Sequence, residues 1–132
     1  MKVRGKLGET IMKLRKILIV DDDFHVGYLI KINLGAEGYE AVLALSGEEA
    51  LEKARASPPD LITLDVLMPE MDGFEVLKAL KREEALNSIP VIMISVVNGI
   101  RKKRGIQMGV AGYLLKPIDF DNLLDKMRFL EV

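Results

Sequence analysis

Five short apolar runs, each followed by a stretch with helical spacing, recur along the chain, and this alternation limits the fold more than any other feature. The runs are KILIV at 16–20, Tyr39–Leu45, Leu61–Leu64, PVIMI at 90–94 and Ala111–Leu115. Runs this short, rich in β-branched residues and bounded by turn formers, read as strands rather than helices. The first helix is expected from Phe24 to Ala36, with Leu29, Ile30 and Leu34 toward the core, and the second from Gly47 to Ala56, burying Ala50, Leu51 and Ala54. A third runs from Phe74 to about Lys81 on Phe74, Val76, Leu77 and Leu80, and the last from Asp119 to about Leu130 on Phe120, Leu123, Leu124 and Met127. Asp23 is placed to cap the first helix, and Ser46 with Glu49 three residues on reads as a capping box for the second. Strands that alternate with helices run parallel, so the chain is an α/β domain whose single sheet is covered on both faces.

Composition narrows the function classes. The 132 residues make one domain, and 49% hydrophobic with 30% charged residues argues against a disordered chain. A net charge of −1 gives no general attraction to nucleic acid or to acidic membranes. The absence of cysteine excludes disulfides and thiolate metal sites. No apolar run has the length of a membrane span and no secretory leader is visible at the start, so the expectation is a soluble, cytoplasmic protein. Residues 1–15 are basic (Lys2, Arg4, Lys6, Lys13, Arg15) with two glycines and little periodicity, and are expected to be a flexible arm.

Right-handed crossovers bring the carboxyl ends of all the parallel strands to one edge of the sheet, where ligands gather in such folds. Four of those ends carry reactive groups: Asp21, Asp22 and Asp23 after the first strand, Asp65 after the third, Ser95 after the fourth and Lys116 after the fifth. Adjacent carboxylates repel one another unless a cation or proton compensates, which points to a hard, oxygen-liganded metal such as magnesium. An aspartate beside such a metal can attack phosphorus, while a lysine and a hydroxyl hold the phosphate oxygens. The loop after Asp65 carries Pro69 and the turn pair Asp72-Gly73, so the chain reverses there. His25, the only histidine, is expected to be a solvated surface residue.

ILIVDDD, LITLDVLMPEMDG, PVIMIS and GVAGYLLKP, in this order and spacing over about residues 16–131, resemble the receiver domain of a two-component response regulator. The resemblance implies a flavodoxin-like, doubly wound, five-stranded parallel sheet of strand order 2-1-3-4-5 with five helices, filling residues 16–132. It implies a phosphoryl-accepting switch rather than a classical enzyme. Asp65 would accept phosphate from a sensor histidine kinase or histidine phosphotransfer protein. Asp21, Asp22, Asp65 and the backbone carbonyl of Leu67 would surround Mg2+. Ser95 would bond the phosphate and Lys116 would pair with its charge. Tyr113 matches an aromatic position that turns inward with Ser95 in the switch, and Lys116-Pro117 matches a cis bond. With no output domain following in these residues, the expected partners are the phosphodonor and a downstream protein, without direct nucleic-acid or membrane contact. The expected state is a monomer or a phosphorylation-dependent dimer.

Three features depart from the family pattern. Val96 stands where a small residue is usual and is expected to narrow the mouth of the site. Leu67 and Val97 are apolar where polar side chains could orient an attacking water, so slow self-dephosphorylation is expected. The glycine-flanked basic stretch at 98–109 predicts a short or mobile fourth helix. Two other readings fit parts of the chain. One is a receiver-like interaction module that takes no phosphate. The other is a haloacid-dehalogenase-like phosphatase with Asp21 as nucleophile. A flavodoxin is excluded, because carboxylates after the first strand would repel its phosphate.

Overall fold

The structure, a computed structural model, describes residues 2–4, 10–96 and 99–131. Five parallel strands form the sheet: β3 (Lys16–Val20), β4 (Glu40–Ala44), β5 (Leu61–Asp65), β6 (Val91–Ser95) and β7 (Gly112–Leu115), in the order β4-β3-β5-β6-β7. Counted within the sheet this is 2-1-3-4-5, the flavodoxin-like order. The helices between and after them are α1 (Phe24–Ala36), α2 (Gly47–Ala56), α3 (Gly73–Arg82), α4 (Gly99–Gln107) and α5 (Phe120–Leu130).

The two faces of the sheet carry separate cores. Alternation along β3 and β5 sends Ile17, Ile19 and Leu61 to the side of α1 and α5, where Ile30, Leu34, Leu123 and Met127 meet them. Leu18, Val20, Ile62 and Leu64 go to the other side, against Ala50, Ala54, Val76, Leu77 and Leu80 of α2 and α3. The central strand β5 is buried along its whole length, as a parallel strand with helices on both faces must be. Asp60 holds the entry of β3 by accepting from the N–H groups of Arg15 and Lys16 at 3.0 and 2.9 Å.

Three details differ from the sequence reading. Lys2–Arg4 (β1) pairs antiparallel with Thr10–Met12 (β2), and Leu14 is buried in the core, where an arm over residues 1–15 was expected. Leu29, expected in the core, is 63% exposed, because Ile30 and Leu34 already fill the α1 contact with the sheet. The Ser46 hydroxyl accepts from the N–H of Glu49, but the Glu49 carboxylate reaches the N–H of Leu45 rather than that of Ser46. The reciprocal capping box lies instead at Asp72 and Glu75, on α3. The expected short fourth helix is nine residues long, the shortest of the five among the described residues.

Candidate functional site

Each reactive residue sits where a strand ends, so its side chain leaves the buried sheet at the one edge where backbone pairing stops. Asp23 caps α1, accepting from the N–H groups of His25 and Val26 at 2.9 and 3.3 Å. That role leaves Asp21 and Asp22 for the site. Asp21 turns inward and is 2% exposed; its Oδ1 accepts from the N–H of Asp23 at 2.9 Å. Asp22 is exposed. Asp65 closes β5 at 4% exposure. The Lys116 ammonium lies 3.3 Å from Asp21 Oδ2 and 3.1 Å from Asp65 Oδ1, bridging the two buried carboxylates.

The loop that follows Asp65 is drawn back against the end of its strand. Gly73 N–H donates to Val66 O at 2.8 Å, and a Cβ at Gly73 would lie 2.5 Å from Asp65 O and 2.8 Å from Val66 Cα. Only glycine permits this approach, because both obstacles are backbone. Glu70 takes a positive φ of 67° within the same loop. The Asp72-Gly73 pair noted in the sequence thus starts α3 and seats the Asp65 loop at once.

The electrostatics follow from burial. Asp65 is pushed up from 3.8 to about 6, first by burial and then by the Asp21 charge, with Lys116 opposing both. Burial also raises Asp21, against the Asp23 N–H and Lys116. For Lys116, burial favours the neutral form, but the charges of Asp21 and Asp65 outweigh it and raise its pKa. One ammonium therefore serves two buried carboxylates, with Asp22 beside them. Oxygens of Asp21, Asp22 and Asp65 all lie within 4.8 Å of one another. This is an excess of hard negative oxygen, and a hard divalent cation that keeps several waters fits it.

Ser95 and Tyr113 project on the α3–α4 side of the sheet, in register terms one diagonal step apart on β6 and β7. The Ser95 hydroxyl is 1% exposed, and both its oxygen and the Tyr113 oxygen are buried without a hydrogen-bond partner; Thr63, two residues before Asp65, is the third such oxygen among the described residues. Buried hydroxyls are normally bonded, so these two are spare donors. Gly105 of α4 lies over Tyr113: a Cβ there would be 3.6 Å from its ring. The Lys116-Pro117 bond is cis, as expected.

The rim of the site is apolar. Leu67 is 49% and Val96 46% exposed. An apolar groove of about 510 Å³ runs from Val96 and Lys116 between α1 and the start of α5, lined by Leu29, Ile30, Ile118 and Phe120 among others. Val97, expected with Leu67 to offer no polar atom to an attacking water, lies outside the described residues. The structure thus brings Asp21, Asp22, Asp65 and Lys116 together, while Ser95 ends the neighbouring strand β6 and Tyr113 lies in β7. Sequence reasoning missed the groove because Leu29 reads as a core residue. It also missed the Arg104 guanidinium, which lies 4.3 Å from the centre of the Phe74 ring and ties α4 to the first turn of α3.

Residues 17–128 match the family described as response regulator receiver domain. The chain is 39% identical over 116 residues to the DNA-binding dual master transcriptional regulator RpaA of Synechocystis sp., covering 87% of this chain and 48% of that protein. It is also 39% identical over 104 residues to the alkaline phosphatase synthesis transcriptional regulatory protein PhoP of Bacillus subtilis, covering 78% and 42%. The chain thus spans about half the length of these relatives or slightly less. Among solved structures, the chemotaxis protein CheY4 of Vibrio cholerae superposes with a TM-score of 0.83 at 33% identity, covering 89% of this chain and 99% of that one. The receiver domain of the Francisella response regulator 1452 gives 0.82 at 31% identity, covering 89% and 96%.

Proposed function

The chain belongs to the response regulator receiver family, and on that footing we propose that Asp65 is its phosphoacceptor, charged by a phosphohistidine of a sensor kinase or phosphotransfer protein. The observation that carries this reading is the Lys116 bridge between Asp21 and Asp65 at the buried end of the central strand. An oxygen of Asp65 forms the new P–O bond as the P–N bond to the donor imidazole breaks, and the imidazole nitrogen keeps the electron pair. Asp65 is free to do this because Lys116 holds only its Oδ1 side. Asp21 has both oxygens engaged, one by the Asp23 N–H and one by Lys116, which disfavours it as the nucleophile of a phosphatase.

Asp21, Asp22 and Asp65, with the Leu67 carbonyl, would hold magnesium, which when bound screens the charge on the transferring phosphoryl group. Lys116 then neutralises a phosphate oxygen, and the spare Ser95 hydroxyl donates to another. Movement of Ser95 toward phosphate opens room beneath it for Tyr113, whose ring touches α4 near Gly105, so the site and that helix face shift together. A protein donor must cover the rim to reach Asp65. The exposed Leu67, Val96 and Leu29 give that donor an apolar footing.

The test is phosphorylation with acetyl phosphate, or complex formation with beryllofluoride, in the presence of magnesium, followed by intact mass and NMR. Wild type should gain one phosphoryl group and Asp65→Asn none. A response lost in Asp21→Asn but kept in Asp65→Asn would move the nucleophile to Asp21. No response in wild type would leave the chain a receiver-like interaction module.

A further inference from the structure

β4 is an edge strand of apolar character, with Ala41, Val42 and Leu43 in its centre. A groove beside it is lined by Phe24 and Tyr28 of α1 together with Val42, Leu45, Glu49 and Lys53. Phe24 and Tyr28 stack with centroids 5.4 Å apart and remain 51% and 46% exposed. An exposed apolar edge of this kind is a template on which another strand can add.

The register shows which backbone groups face outward. Glu40 N–H donates to Arg15 O at 2.8 Å, and Asp21 N–H donates to Ala44 O at 3.1 Å. The even-numbered residues of β4 therefore turn their backbone groups toward β3, and Ala41, Leu43 and Leu45 turn theirs away. Two of these outward groups are already taken by one helix. The Lys53 ammonium donates to Leu43 O at 2.7 Å, and the Leu45 N–H donates to Glu49 Oε1 at 2.6 Å. Glu49 and Lys53 stand one turn apart on α2, 3.9 Å from each other, at 39% and 41% side-chain exposure.

We propose that Glu49 and Lys53 form an edge guard, occupying in cis the hydrogen-bonding positions that β4 of a second copy would use, and so keeping the sheet from extending between molecules. A donor and an acceptor are both needed, because an open edge offers carbonyl and N–H groups alternately. The pair meets each with the matching side chain. Both reach the edge from solvent, where they cost little to hold and where an approaching strand would have to strip water from their charges. The guard does not touch Asp65 or Lys116, so it stands apart from the phosphoacceptor reading.

The experiment compares self-association of wild type, Glu49→Ala/Lys53→Ala, and the conservative pair Glu49→Gln/Lys53→Arg by light scattering over a concentration series. The alanine pair should self-associate about tenfold or more tightly than wild type, equivalent to about 1.4 kcal/mol. The conservative pair, which keeps an acceptor and a donor, should match wild type. Adding Ala41→Pro to the alanine pair removes an outward N–H without breaking a bond to β3, and should return association to the wild-type level. Wild-type association in the alanine pair would overturn the proposal, even if its melting temperature fell, since that would mark the contacts as structural only. Association that persists with Ala41→Pro would overturn it too, by placing the contact elsewhere. If the alanine pair does not fold, Lys53→Ala alone is judged by the same criteria.

Discussion

Asp65 shows what burying a carboxylate at the end of the central strand does to stability. Its pKa is raised from 3.8 to about 6 because the folded chain buries it beside Asp21. A raised pKa contributes stability that is present below the unfolded value and lost as pH rises through the folded one. Metal-free protein at pH 7 has lost that contribution. Asp65→Asn cannot charge, so it should be more stable than wild type at pH 7 by roughly 1–3 kcal/mol. The difference should vanish near pH 4, as urea unfolding in chelator at the two pH values would show. Leu67 makes the complementary point about what a side chain lacks. It sits half-exposed at the rim with no polar atom to orient a water molecule. Phosphorylated Leu67→Asn should lose its phosphoryl group severalfold faster than wild type, followed by intact mass over time. An unchanged half-life would show that Leu67 does not limit hydrolysis.

At the scale of elements, two connections hold the molecule at opposite ends of the sheet. The loop from Asp65 to α3 depends on Gly73, whose missing Cβ leaves room for Asp65 O and Val66 Cα. Gly73→Ala should cost about 1–3 kcal/mol, since the backbone atoms it meets cannot turn aside. The same change should weaken phosphorylation, because the loop carries the Asp65 end of the site. Denaturant unfolding paired with acetyl phosphate uptake separates the two effects. At the other end, the Tyr39 hydroxyl donates to Glu131 Oε1 at 3.0 Å, joining the turn before β4 to the end of α5. Burial and then this bond push Tyr39 up to about 12. Its contribution is therefore complete below about pH 10, the usual tyrosine value, and lost as pH rises toward 12. Tyr39→Phe should cost about 1 kcal/mol at pH 7, and the gap from wild type should close at high pH.

For the whole molecule, magnesium held by the acidic cluster would make folding and metal binding one equilibrium. Magnesium at ten times its dissociation constant should stabilise the native state by about 1.4 kcal/mol, because the unfolded chain does not assemble the three carboxylates. The melting temperature of wild type should rise with magnesium, and that of Asp22→Asn much less. An equal rise in both would mean that the cation binds elsewhere. Two surface features stand out among the described residues. The groove beside α1 opens next to Lys116, and α4 carries Lys102 and Lys103 exposed on its surface. Among the described residues, no helix is long and apolar enough to cross a membrane.

The sequence by itself determined the architecture and most of the site. Short β-branched runs and helical spacing are local signals, and crossover handedness converts them into one sheet with its strand ends on one edge. That is enough to predict Asp21, Asp22, Asp65, Ser95 and Lys116 as neighbours without coordinates. Helix ends were equally legible where a cap is made by short-range bonds alone, as at Asp23. Tertiary structure decided what depends on competition between distant groups. Leu29 has the spacing of a core residue, yet Ile30 and Leu34 claim the contact with the sheet and leave it beside the groove. Glu49 has the spacing of a capping box, yet the edge of β4 presents the Leu45 N–H closer to hand. Gly105 against Tyr113 and Arg104 over Phe74 cannot be read from α4 alone, because each depends on how the helix lies across the sheet. Periodicity tells which residues share a face, but only packing settles what that face meets.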